Sequence, residues 1–485
     1  MTSTRSREPL RTSLSLEALA RQRLCERLDH AAEHARRVDR RVLASVTVPL
    51  PADVDVSATV LSARRADDRF FCLELPERGG FALAGIGEAA LVRASGPDRF
   101  HAADRECRAL AADALTDDPA ADPSAPPAAG PVWVGGFAFA DHGGAAPEWS
   151  SLAPAQLVMP ELSLARANGE ARLTVTVGVS GGDEPAALVA RVDRRLESVV
   201  CSSMPLLDPD PIFSSRIAGA APPEHYEAAV ERAVERIAAG ELTKVVLARE
   251  VRVHSPRPID PAPVLDGLRT AFPACYCYCL GTPELTFVGA SPELLIRRDG
   301  ARAQSVALAG TTRRSADPAV DAHLGEALLR SAKDREEQAI VARRIARALC
   351  PLSVWVTAAE EPVLVKVQNV QHLATPIRAQ LADPISTIEL AGALHPTPAV
   401  GGEPWERARP LIPALEGLDR GWYAGAVGWT GISDDGEFCV ALRCALLRGN
   451  VAHLYAGDGI VRDSVPAEEL AETEVKLQAL LPLLV

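Results

Sequence analysis

Strand-like segments in the first half of this chain are not each followed by a helix, and that order most limits the fold. Residues 69–75 (RFFCLEL), 80–86 (GFALAGI), 131–140 (PVWVGGFAFA) and 171–179 (ARLTVTVGV) read as short strands. Beyond residue 223, long helical patterns alternate with strands. A regular βα order would predict a doubly wound parallel sheet; its absence predicts a mixed α+β fold with mostly antiparallel or mixed strands flanked by helices. No G-x-G-x-x-G follows a strand and no P-loop occurs, so nucleotide binding has no support in the motifs.

Two breaks divide the chain. Residues 116–131 (TDDPAADPSAPPAAGP) and 207–223 (LDPDPIFSSRIAGAAPP) are rich in proline and lack periodicity. They predict an N-terminal extension with a helix (1–40), an N-terminal half (41–222) and a C-terminal region (223–485). The net charge of −13 argues against a nucleic-acid or anionic-membrane binder, each of which needs a basic face. No apolar run approaches the ~18 residues that a membrane helix needs. The N-terminus is Arg- and Ser-rich without a hydrophobic stretch, so it does not read as a secretory signal, and Glu8 and Glu17 count against a transit peptide. Ten cysteines show no C-x-x-C, and Cys275, Cys277 and Cys279 alternate as one face of a strand. A cytoplasmic monomer with buried, reduced thiols is expected.

Among 51 basic residues only four are lysine: Lys244, Lys333, Lys366 and Lys476. Lys244 begins a predicted strand, on the same face as Val246 and Ala248. A chain so committed to arginine uses lysine there for a reason. Burial can make an amine lose its proton, whereas a guanidinium stays charged. Glu293 lies in a Ser-Pro-Glu turn between two apolar runs, where a carboxyl protonates readily and can act as a general acid. A helix predicted over 321–350 places Glu337 on the stripe of Val341, Ile345 and Leu349, with Asp334 bordering it and Glu336 on the side of Arg343 and Arg347. A charge on that stripe needs a cation. The helix from Pro466 stacks Glu469, Glu472 and Lys476 opposite Leu470, Leu477 and Leu481. Two helices with a spare carboxylate each suit a magnesium site, provided they meet. Glycine clusters at 307–312, 425–429 and 455–460 suit the close approach of an anion.

These stretches resemble the chorismate-utilising enzymes, and within them the isochorismate synthases. KVVLARE, VGASPELL, LAGTTRR, KDREEQ, VQNVQHLATPI, LHPTPAVGG, WYAGAVGW, VALRCA, LYAGDGIV and ETEVK occur in family order over residues 223–485. Weaker similarity runs through FALAGIGEA, VGGFAFAD and PEWSSLAPAQLVMPEL. The resemblance implies one large α+β fold of two related halves around a deep site, and dependence on Mg²⁺. It gives Lys244 the role of the water-activating base and Glu293 that of the acid. It makes Glu337 and Glu472 the metal ligands, with Asp334 and Glu469 in the outer shell. Tyr423, Arg443, Gly457 and Gly459 would receive the enolpyruvyl carboxylate. Gly310, Thr311 and Lys476 would lie near the ring carboxylate, with His372, His395 and Thr397 around the ring.

The implied reaction adds water at C2 of chorismate while the C4 hydroxyl leaves and the double bonds shift. Anthranilate synthases carry Gln where Lys244 stands, and aminodeoxychorismate synthases a lysine where Ala309 stands. Salicylate synthases share the base lysine but usually lack LHPTPAVGG and GAVGW. Salicylate synthesis and a non-catalytic chorismate-binding homologue are the competing readings. Two positions depart from the family pattern. Gln338 replaces the usual histidine after the metal glutamate, and Asp458 replaces a small residue. Asp458 would repel a substrate carboxylate unless its side chain points away.

Overall fold

Two large antiparallel sheets make up the β-structure, and each takes strands from both sides of residue 223. The computed structural model describes residues 13–118, 122–205, 214–368 and 370–484, so the middles of both proline-rich breaks and the first twelve residues lie outside it. The twelve-stranded sheet carries Phe70–Leu75 beside Tyr276–Gly281 near its middle, and toward one end pairs Val451–Ile460 with Lys244–His254. The ten-stranded sheet sets Val370–Leu381 against Arg302–Arg313, and Ala426–Gly431 against Val132–Phe137. The chain division at 222/223 is therefore not a division between sheets.

Burial on both faces explains why several strands read as continuous apolar runs rather than alternating ones. All six residues of Phe70–Leu75 are buried. Phe71, Leu73 and Leu75 enter one core with Trp133 and Phe137. Phe70 and Cys72 face a second core, built with Leu24, Leu28 and Ala35 of the helix Ala18–Val38. Cys275, Cys277 and Cys279 are free and buried, and burial pushes the Cys275 and Cys279 thiols up to about 12. Among the described residues, no helix is long and apolar enough to cross a membrane.

The helix expected over 321–350 is two helices, Pro318–Arg330 and Ala332–Leu349. Ser331 breaks it. Its extended backbone (ψ 116°) ends the first helix, and its side chain accepts from the Asp334 backbone N–H to cap the second. The Ser331 hydroxyl donates in turn to the Asp334 carboxylate. Val341, Ile345 and Leu349 are buried as the stripe predicts, and Glu336 pairs with Arg343 at 2.9 Å in the open.

Candidate active site

The site lies where the strands Lys244–His254 and Val451–Ile460 run side by side, with Val246 opposite Gly459 and Ala248 opposite Gly457. Glycine is required at Gly457 for space, since a Cβ there would lie 2.7 Å from the Leu247 carbonyl oxygen. A Cβ on Gly459 would lie 2.5 Å from Glu337 Oε1 and 2.9 Å from Lys244 Cε, and would displace that pair. Across the cavity, a bulge in the strand Arg302–Arg313 falls between Ala309 and Thr311. Gly310 adopts φ +70° there, and its missing side chain lets the first turn of the Ala332–Leu349 helix approach.

Lys244 is buried, and its ammonium donates to Glu337 Oε1 at 2.7 Å. The cation that the apolar-stripe carboxylate requires is therefore this lysine, not an arginine. Lys244 sits behind Glu337 and Gly459, while Glu337 and Glu293 line the cavity. Burial pushes the Glu293 carboxyl up to about 8, against the opposing pull of Lys244 and a hydrogen bond from buried Thr397. Glu293 is accordingly protonated at neutral pH and available as a proton donor.

Arg443 supplies positive charge at the cavity wall. Its backbone is in the left-handed region (φ +47°), a strained conformation for a side-chain-bearing residue. Burial lowers its affinity for a proton, and among the described residues it has no carboxylate within ion-pair distance. Its Nη2 lies 3.3 Å from His372 Nε2. Nε2 must accept there, so the ring proton belongs on Nδ1, 3.1 Å from Thr311 Oγ1. Burial holds His372 near 3, with Arg443 and Lys476 adding to the effect, so the ring is neutral. Tyr423 stacks on Tyr455 with centroids 5.4 Å apart and also faces the cavity.

A group of carboxylates forms the floor. One ligand oxygen from each of Asp458, Glu469 and Glu472 lies within 4.8 Å of the others. The Lys476 ammonium sits among them, 2.9 Å from Glu472 Oε1, 3.1 Å from Asp458 Oδ1 and 3.0 Å from the Gly457 carbonyl. Burial works against that charge, but Asp458 and Glu472 hold it above the ordinary lysine range. Lys333 approaches Glu469 at 3.5 Å and also lines the cavity, a role that its spacing in the sequence did not indicate. Asp334 lines the same wall, its carboxyl raised by burial. The helices Ala332–Leu349 and Pro466–Leu477 thus meet at one cavity. Glu337 nevertheless stands with Lys244 rather than in the three-carboxylate group.

Some expected residues lie elsewhere. His395 packs against Phe100 and Phe139 and bonds the Phe139 carbonyl through Nε2 at 3.0 Å; it does not line the cavity. Thr397 reaches the site only through Glu293. Lys366 pairs with Asp321 at 3.0 Å, away from the site. Gln338 donates to the Ala307 carbonyl at 2.8 Å and to Thr375 at 3.0 Å, tying its helix to two strands of the sheet. Asp458 alternates with Gly457 and Gly459, so its side chain leaves the opposite face of the strand and meets Lys476.

Comparison with known proteins places this geometry in a family. The chorismate-binding enzyme profile matches residues 28–485. The chain is 35% identical over 455 residues to the salicylate biosynthesis isochorismate synthase of Pseudomonas aeruginosa, covering 93% of this chain and 92% of that protein. It is 37% identical over 358 residues to isochorismate synthase MenF of Bacillus subtilis, covering 73% and 74%. The structure of MenF, the menaquinone-specific isochorismate synthase of Escherichia coli, superposes with a TM-score of 0.76 at 27% identity, covering 94% of this chain and all of that one. The chain belongs to the chorismate-binding enzymes.

Proposed function

We propose that this protein is an isochorismate synthase in which Lys244 is the base and Glu293 the acid. The observation that carries this reading is a buried carboxyl and a buried lysine at one cavity whose wall bears a guanidinium with, among the described residues, no carboxylate within ion-pair distance. Arg443, with Tyr423 and the Gly457–Gly459 strand, binds the enolpyruvyl carboxylate. Thr311, Gly310 and Lys476 lie toward the ring carboxylate. Water adds at C2: Lys244 takes a proton from it as the new C–O bond forms. The ring double bonds shift, and the C4–O bond breaks. Glu293 gives its proton to the departing hydroxyl, which leaves as water. Return of the proton from Lys244 to Glu293 resets the site. The reverse reaction uses the same groups.

The 2.7 Å pair with Glu337 fixes the Lys244 amine beside the cavity, and an amine, unlike a guanidinium, can exchange a proton with water. The donor set suits a hard divalent cation, since carboxylate oxygens of Asp458, Glu469 and Glu472 gather within 4.8 Å and Glu337 and Asp334 line the same cavity. Glu472 and Glu337 would hold Mg²⁺, with Asp334 and Glu469 outside them. Bound there, Mg²⁺ would neutralise the ring carboxylate and orient the diene. The test is chromatography of products after purified protein meets chorismate and Mg²⁺. The expected product is isochorismate, approached from either direction. Salicylate with pyruvate as the initial products would move the assignment to salicylate synthesis, and no turnover would leave a binding protein.

A further inference from the structure

We propose that Arg420, locked to Glu416, is a positioning residue that sets the strand of Lys244 against the turn that serves Glu293. The proposal rests on the synthase reading and adds to it two residues that do not line the cavity. Along one edge, the strand Lys244–His254 pairs with Val451–Ile460 from Val245 to His254. Along the other edge, among the described residues, strands pair only with Lys244 and Val245 and with Val251–His254. Between them a salt bridge stands where a strand would. Arg420 Nη2 donates to the Val246 carbonyl at 2.9 Å, and Glu416 Oε1 accepts from the Ala248 N–H at 2.7 Å. A guanidinium donor and a carboxylate acceptor thus satisfy a carbonyl and an amide that a neighbouring strand would otherwise take.

The same guanidinium reaches the turn 397–401. Its Nη1 donates to the Val400 carbonyl at 2.8 Å, and its Nε to Glu416 Oε2 at 3.0 Å. Val400 and Gly401 both donate their backbone N–H groups to the Thr397 carbonyl, and the Thr397 side chain hydrogen-bonds Glu293. Arg420 therefore bridges the strand that begins with Lys244 and the turn that orients Glu293. The Arg420 and Glu416 side chains are 2% and 1% exposed, and the guanidinium carbon lies 4.3 Å from the Phe139 ring centroid. With all three nitrogens engaged by oxygens, the plane of the fork is fixed. A buried ion pair adds little stability, because taking two charges out of water offsets their attraction. What this one supplies is geometry, and a displacement of about 1 Å at reacting groups costs on the order of 10²-fold in rate.

The experiment compares full-length wild type with Arg420→Lys, which keeps the charge but not the fork, and with the double variant Glu416→Gln/Arg420→Met, which leaves no buried charge unpaired. Thermal melting, hydrogen–deuterium exchange, and steady-state kinetics with chorismate and Mg²⁺ are read on each. In both variants kcat is expected to fall about 10–100-fold with KM within about threefold, because the reacting groups are displaced and the carboxylate-binding groups are not. Exchange is expected to quicken in peptides covering 244–250 and 397–401 and to stay at the wild-type rate in the helix Ala18–Val38. Wild-type kcat in the double variant would overturn the proposal, since a merely structural pair can be replaced once both charges go together. So would unchanged exchange over 244–250 in both variants, or a rise in KM that accounts for the whole loss of kcat/KM. Should the double variant not fold, Arg420→Lys decides by the same criteria. A wild type that makes no isochorismate would end the synthase reading instead, and the exchange comparison then decides whether the pair holds the strand.

Discussion

Lys244 Nζ stands 2.7 Å from Glu337 Oε1, with the lysine side chain 1% and the glutamate side chain 12% exposed. One contact answers two questions that the sequence poses separately. It supplies the cation for a carboxylate on an apolar helical stripe, and it gives a reason for lysine in an arginine-rich chain. An arginine could make the pair but could not release a proton.

Lys244→Arg should therefore keep the fold and lose turnover by roughly 10²–10⁴-fold, the range set by losing a general base. Chorismate consumption and a thermal melt check the two halves of that statement. Activity within a few-fold of wild type would remove Lys244 from the role of base.

Glu293 predicts a pH dependence. Its acid form exists below about 8 and disappears above it, so kcat/KM should fall as pH rises through about 8. The sign for stability is the same. Between the ordinary glutamate value near ~4.3 and about 8, the folded protein holds a proton that the unfolded chain has released. That contribution is full at low pH and is lost as pH rises through the window. A kcat/KM profile flat from pH 7 to 10 would refute Glu293 as the acid.

Glu472→Gln should raise the Mg²⁺ concentration needed for half-maximal activity by about tenfold or more, as losing one of few carboxylate ligands implies. Glu336→Gln, on an exposed carboxylate paired with Arg343, should leave the titration unchanged. Equal curves for the Glu472 variant and the wild type would exclude a ligand role.

The α+β class was legible from element order, because runs such as FFCLEL carry their burial in composition. Lys244, Glu293 and Glu337 were legible as charges in apolar settings. The rest was not legible. The break at Ser331 carried a signal, Ser three residues before Asp334, that matches a capping box and was overrun by helical periodicity. Asp458 depends on strand register, which places its side chain on the face opposite Gly457 and Gly459 and which no local pattern encodes. Lys333 and His395 show the limits of motif position. The first reaches Glu469 across a helix contact, while the second turns from the cavity to Phe139.

Arg443→Met should raise KM for chorismate by roughly 10–100-fold, the loss of charge-assisted hydrogen bonds worth about 1.5–3 kcal/mol. kcat should fall less, since Arg443 acts on a carboxylate remote from the bonds that change. Steady-state kinetics at saturating Mg²⁺ would show the split, and an unchanged KM would detach Arg443 from substrate.

Solvent oxygen tests the central claim most directly. Chorismate incubated with the protein and Mg²⁺ in H₂¹⁸O, stopped at low conversion and analysed by mass spectrometry, should give isochorismate carrying one ¹⁸O at C2. Isochorismate without label would mean that the C4 hydroxyl moves within the molecule, and would contradict water activation by Lys244.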